Sequence, residues 1–62
     1  MKAYIIKSGK LYWDSVDSSW AKKHYYATLF PTKKAAEIET GLYEEDFMEG
    51  NYRIVLVEIK EK

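Results

Sequence analysis

Ala27-Thr28-Leu29-Phe30-Pro31-Thr32-Lys33-Lys34-Ala35-Ala36-Glu37-Ile38 is the stretch from which the fold can be read. Pro31 disfavours helix at the residue before it, because its ring crowds the preceding backbone, so Phe30 stays extended. Thr32 then offers a hydroxyl to a backbone N–H two or three residues on, which is the chemistry of a helix N-cap. Ala35 to Glu39 are compatible with helix, and Ala35, Ile38 and Leu42 fall at i, i+3 and i+7, predicting an apolar stripe that faces a sheet. Gly41 reads as the C-terminal stop, with Leu42 to Met48 as a second, looser helical turn. Upstream, His24 to Phe30 reads as a strand.

Working outward, Tyr4 to Lys7 and Lys10 to Trp13 are strand-like around Ser8-Gly9, a two-residue hairpin loop in which glycine supplies the positive φ. Alternation then puts Tyr4, Ile6, Leu11 and Trp13 on one face, with Ile5 and Tyr12 on the other. Asp14 to Lys23 is polar and serine-rich and reads as a loop pinned by Trp20. After Gly50-Asn51, Tyr52 to Lys60 is the longest strand, apolar on both sides. Such strands are usually covered twice, yet one helix covers one face. The expected core is Tyr4, Ile6, Leu11, Trp13, Leu29 or Phe30, Ala35, Ile38, Leu42, Val55, Val57 and Ile59. Strand order is not readable, but if the third and fourth strands share the sheet, a connection through the helix makes them parallel, with a right-handed crossover. The expected architecture is α+β: one domain over residues 1–62, a small sheet of about four strands (hairpin, third strand, helix, fourth strand), and one helix packed on one face.

Sixty-two residues is close to the lower limit for a core that stands alone, and ten aromatic side chains answer that demand. The absence of cysteine excludes disulfides and thiolate zinc sites. No apolar run approaches the roughly 20 residues a spanning helix needs, and Met1 to Lys7 is too short for a signal peptide, so a cytoplasmic protein is expected. Net charge is zero but segregated: residues 1–34 carry seven lysines against Asp14 and Asp17, and residues 35–62 carry eight acids against three cations.

An opening Tyr-Ile-Ile-Lys, a Gly-Lys-x-Tyr-Trp hairpin, Ala27-x-x-Phe30-x-Thr32-Lys33-x-x-Ala36, and Ile54-Val55-x-Val57-Glu58-Ile59 together resemble short uncharacterised proteins of phages and prophages of Gram-positive bacteria. The resemblance implies an intracellular accessory protein that binds a host protein, nucleases of bacterial defence included. It transfers no catalytic residue and no cofactor. This chain departs from its pattern at Lys33 and Lys34, where acids are usual.

Catalysis has little to stand on. His24 is the one histidine, and no carboxylate is flanked by a partner for acid–base work. Asp14 and Asp17 lack the oxygen ligands and the bend glycine of a calcium loop. An enzyme is therefore not expected, nor a cofactor or metal. Three binding surfaces are. Glu44, Glu45, Asp46 and Glu49 form an acidic run able to imitate phosphates toward a basic host protein such as a nuclease. Ile5, Tyr12, Ile54 and Leu56 are expected on the uncovered sheet face, to be closed by a partner protein, by a second copy as a homodimer, or by loop 14–23 with Trp20 as its lid. Lys33 and Lys34 at the helix start oppose its dipole, a small cost on a surface or the mark of an anion site. The alternative from another class is nucleic-acid binding by Tyr12, Tyr25 and Tyr26 with Lys7, Lys10, Lys22 and Lys23, against which stand zero net charge and a single arginine.

Overall fold

The computed structural model describes residues 1–47 and 51–59. In chain order these form β1 (Lys2–Ser8), β2 (Leu11–Asp14), β3 (Ser19–Ala21), one 3-10 turn (His24–Tyr26), α1 (Lys33–Leu42), α2 (Glu44–Phe47) and β4 (Arg53–Glu58). The strands make one sheet in the order β3-β2-β1-β4, with each neighbouring pair antiparallel. The α+β class, the four strands and the helix on one face agree with expectation. Several placements within that frame do not.

The hairpin closes one step later than expected. Ser8 lies opposite Leu11 and Lys7 opposite Tyr12, so the loop is Gly9-Lys10. Gly9 takes φ +60° at the first loop position, where a side chain would be strained and a type II′ turn takes glycine. Relative to the expected pairing each partner slides by two residues, and because side chains alternate with period two, the face assignment of both strands survives.

The third strand is not His24 to Phe30. Ser19–Ala21 pairs with β2, setting Trp13 opposite Trp20 across a loop tied by Asp14, whose Oδ1 accepts from the Val16 and Asp17 backbone N–H groups at 3.0 and 3.4 Å. His24–Tyr26 is a 3-10 turn instead. The residues after it enter the sheet as a wedge where β1 and β2 diverge. Thr28 donates its N–H to the Trp13 carbonyl at 3.0 Å, and Phe30 exchanges two backbone bonds of 2.8 Å with Tyr4. The wedge thereby meets backbone groups of both strands that a longer hairpin ladder would have joined to each other.

β4 pairs with β1 on the side opposite the Phe30 bridge. Both run antiparallel to β1, so the short Phe30 segment and β4 are parallel to each other and joined through α1, with β1 between them. The faces of β4 are the reverse of those expected. Ile54 lies opposite Ile6 and Leu56 opposite Tyr4, both on the helix side, whereas Val55 opposite Ile5 and Val57 opposite Ala3 share the far face. Alternation alone could not choose, because both sides of this strand are apolar.

The core fills the helix side. Ile6, Trp13, Phe30, Ala36 and Phe47 are buried, and Tyr4, Trp20, Ala35, Tyr43, Tyr52 and Ile54 pack around them. The Trp13 ring meets Phe47, Trp20 and Tyr43 with centroids 4.7, 5.3 and 5.5 Å apart in inclined geometries, the arrangement that aromatic quadrupoles favour. Trp20 is thus a core residue and not a lid over the far face.

α1 begins as expected, with Thr32 Oγ1 accepting the Ala35 N–H at 3.1 Å. Its buried positions are Ala36 and Glu39, not the stripe read from the sequence: Ile38 is 56% and Leu42 71% exposed. The reason is polar. The Trp13 indole N–H, in a side chain with no exposure, donates to Glu39 Oε2 at 2.9 Å, so the helix turns a carboxyl inward to meet it. Among the described residues no buried side-chain nitrogen or oxygen lacks a partner. Gly41 lies within α1, and Tyr43, not Gly41, caps it, its N–H reaching the Glu39 carbonyl at 3.3 Å.

Candidate binding surface on the far sheet face

Seen from the side away from α1, the sheet presents Ala3, Ile5 and Lys7 of β1, Tyr12 of β2, and Arg53, Val55 and Val57 of β4. The 3-10 turn and the wedge run beside them, and together they enclose a groove of about 350 Å³. Its lining is Ile5, Lys7, Tyr12, His24, Ala27, Leu29, Val55 and Val57, mostly apolar. Ile5 is buried at its floor, Val55 and Val57 are half-buried, and Leu29 stands 53% exposed on its wall. Loop 14–23, one of three covers expected for this face, does not supply it; residues 24–29 wall the groove in part.

One end of the groove is cationic. Lys7 and Arg53 lie directly opposite each other in the β1–β4 ladder, a like-charge pairing that costs stability. Lys7 also sits over the Tyr12 ring, its Nζ 5.0 Å from the centroid, a cation–π contact that offsets part of that cost. Neither cation has a carboxylate partner among the described residues. An open recess of about 560 Å³ continues beyond them, bordered by Gly9, Asn51 and Tyr52. Ser8 Oγ braces this end by donating to the Asn51 carbonyl at 2.7 Å.

The residues expected to form binding surfaces do not meet in one place. Tyr12 lies in the groove. Ile54 belongs to the helix side and packs against the core, and Leu56 is on that side at the sheet edge, 51% exposed. Glu44 and Glu45 are exposed on α2; Glu49 and the side chain of Asp46 lie outside the described residues. Lys33 and Lys34 are exposed in the first turn of α1, which carries no acid, and Thr32 already satisfies one of the N–H groups there. Tyr25 and Tyr26 are exposed beside the groove with ring centroids 4.8 Å apart. Sequence reasoning missed Val55, Val57, Ala27 and Leu29 as groove residues and Arg53 as the partner of Lys7. Only the β1–β4 register brings that last pair together.

Among the described residues no group of three or more His, Cys, Asp or Glu could hold a metal, and no helix is long and apolar enough to cross a membrane. Comparison with protein-family models, curated proteins and solved structures gave no match.

Proposed function

We propose that this chain is a non-enzymatic binding protein whose far sheet face receives a partner protein. The observation that carries the reading is an apolar groove lined at one end by Lys7, with Arg53 opposite Lys7 in the ladder and neither cation paired with a carboxylate among the described residues. An apolar surface of this kind on a small domain marks an interaction site. The cations select what enters: an apolar side chain followed by carboxylates, which relieve the Lys7–Arg53 repulsion on binding. In the phage context that the sequence resembles, such a partner is a host protein, and occupying its acidic-apolar segment is a route to inhibition.

A second reading rests on the exposed Glu44 and Glu45 of α2, which would face a basic host protein such as a nuclease. A third, nucleic-acid binding, draws on the Tyr25–Tyr26 pair and the lysines nearby. An apolar groove floor suits a side chain better than a phosphate backbone, and so the far-face protein site is preferred.

One experiment separates the three. Tagged protein is used to capture partners from nuclease-treated host lysate, in wild-type form, as Lys7→Glu/Arg53→Glu, and as Glu44→Gln/Glu45→Gln. A stoichiometric protein lost only with the first pair supports the far-face site. Loss only with the second pair moves the site to α2. Nucleic acid recovered when nuclease is omitted, with no protein, ends the protein-binding reading.

A further inference from the structure

β4 is an edge strand, and the direction of its free backbone groups can be worked out. Ile59 donates its N–H to the Met1 carbonyl at 2.7 Å, so the pair Met1–Ile59 is a hydrogen-bonded one. Antiparallel ladders alternate, so Val57, Val55 and Arg53 also turn their N–H and C=O groups toward β1. An independent observation agrees: Tyr4, opposite Leu56, spends both its backbone groups on Phe30, away from β4. The N–H and C=O groups of Ile54, Leu56 and Glu58 therefore point outward from the sheet.

Natural edge strands are usually blunted by proline, by a central charge, by a bulge or by a covering element. Ile54-Val55-Leu56-Val57 contains no proline and no charge, its register with β1 runs without a bulge, and among the described residues no strand lies beyond β4. Leu56, at its middle, is half exposed.

We propose that this edge pairs antiparallel with the β4 edge of a second copy, making a two-fold dimer with one eight-stranded sheet. Directly opposed residues must share a face, and a two-fold axis perpendicular to the sheet keeps the faces of the copies aligned. Only registers that oppose residues of like parity are then allowed. The register centred on Val55 sets Ile54 opposite Leu56 of the second copy, twice, and Val55 opposite its own copy. Every pair among residues 54–56 is then apolar, and Ile54 and Leu56 exchange backbone bonds through groups that already point outward. Centring on Leu56 instead would set Glu58 opposite Ile54, where centring on Val55 sets Arg53 opposite Val57. The long apolar stem of Arg53 suits such a contact better, since it can cover the valine while its head stays in water. The pairing uses the strand edge and not the groove floor, although Val55 and Val57, which line the groove, lie at the seam, so the grooves of the two copies open on the same face beside it.

A chain of 62 residues is within reach of chemical synthesis, so the test uses an N-methyl group on the Leu56 nitrogen. The modification leaves the side chain unchanged, spares every bond to β1, and removes two bonds at the dimer axis. Sedimentation equilibrium is expected to find a dimer for the unmodified chain and a dissociation constant raised about tenfold or more for the methylated one. In parallel, Val55→Cys is oxidised: a non-hydrogen-bonded pair has its Cα atoms about 4.5 Å apart, inside the disulfide window. Leu56→Cys, offset from its own copy, should cross-link poorly. A monomeric unmodified chain at millimolar concentration overturns the proposal. So does a dimer indifferent to methylation, or cross-linking through position 56 in preference to 55.

Discussion

Replacing Glu39 with alanine tests the idea that a single hydrogen bond sets the rotation of α1. The Trp13 indole has no exposure and the Glu39 carboxyl almost none, and the 2.9 Å bond between them joins residues 26 apart. Glu39→Ala leaves the indole N–H buried without an acceptor, which costs about 1–3 kcal/mol. Alanine's higher helix propensity returns only a few tenths of that. A domain of this length has about 3–9 kcal/mol in total, so the loss is a large fraction of it. It corresponds to a fall in Tm of roughly 4–20 °C. Glu39→Gln keeps an acceptor oxygen and should lose much less. Urea unfolding followed by tryptophan emission measures all three chains, and Trp13→Phe completes a double-mutant cycle. In the phenylalanine background no N–H is left to orphan, so Glu39→Ala should cost at least about 1 kcal/mol less there than in the wild type. An equal cost in both backgrounds would refute the reasoning, since the carboxyl would then matter for something other than the indole.

Two further outcomes are expected from α1. Gly41 lies inside the helix and a Cβ there meets nothing within 4 Å, so Gly41→Ala should stabilise the protein by about 0.5–1 kcal/mol in the same assay. Thr32→Ala removes the cap on Ala35 and should cost about 1 kcal/mol, with Thr32→Ser restoring most of it.

Where the sequence was legible, a local rule acted alone. Pro31 and Thr32 marked the start of α1, glycine marked the hairpin, and the alternation of β1 and β2 assigned their faces even though the register slipped. Where two solutions satisfied the same local rule, the choice was made at long range. The apolar stripe Ala35, Ile38, Leu42 and the stripe Ala36, Glu39, Tyr43 differ by one residue of helix rotation, and an indole N–H on another element decided between them. β4 is apolar on both sides, so only its register with β1 could assign Val55 and Val57 to the groove. Ser19–Ala21 carries no strand signal beyond Trp20, and its pairing follows from the Asp14-tied loop. The groove was the least legible feature, because it is assembled from strands at opposite ends of the chain and a turn between them.

The wedge at Thr28 and Phe30 has a consequence for the order of folding. β1 and β2 touch early through a two-residue loop, but the first half of β1 cannot be finished by that hairpin. On one side it waits for Phe30, 26 residues from Tyr4, and on the other for β4, more than 50 residues away. Loops of that length close slowly compared with hairpins and helices, and chains dominated by such contacts fold on the slower side for their size. The hairpin and α1 can therefore form before the sheet is complete, and docking of the wedge and β4 onto β1 is the step that makes the transition cooperative. Hydrogen exchange should read this directly, with the Tyr4 and Phe30 amides protected only in molecules that have closed the whole sheet.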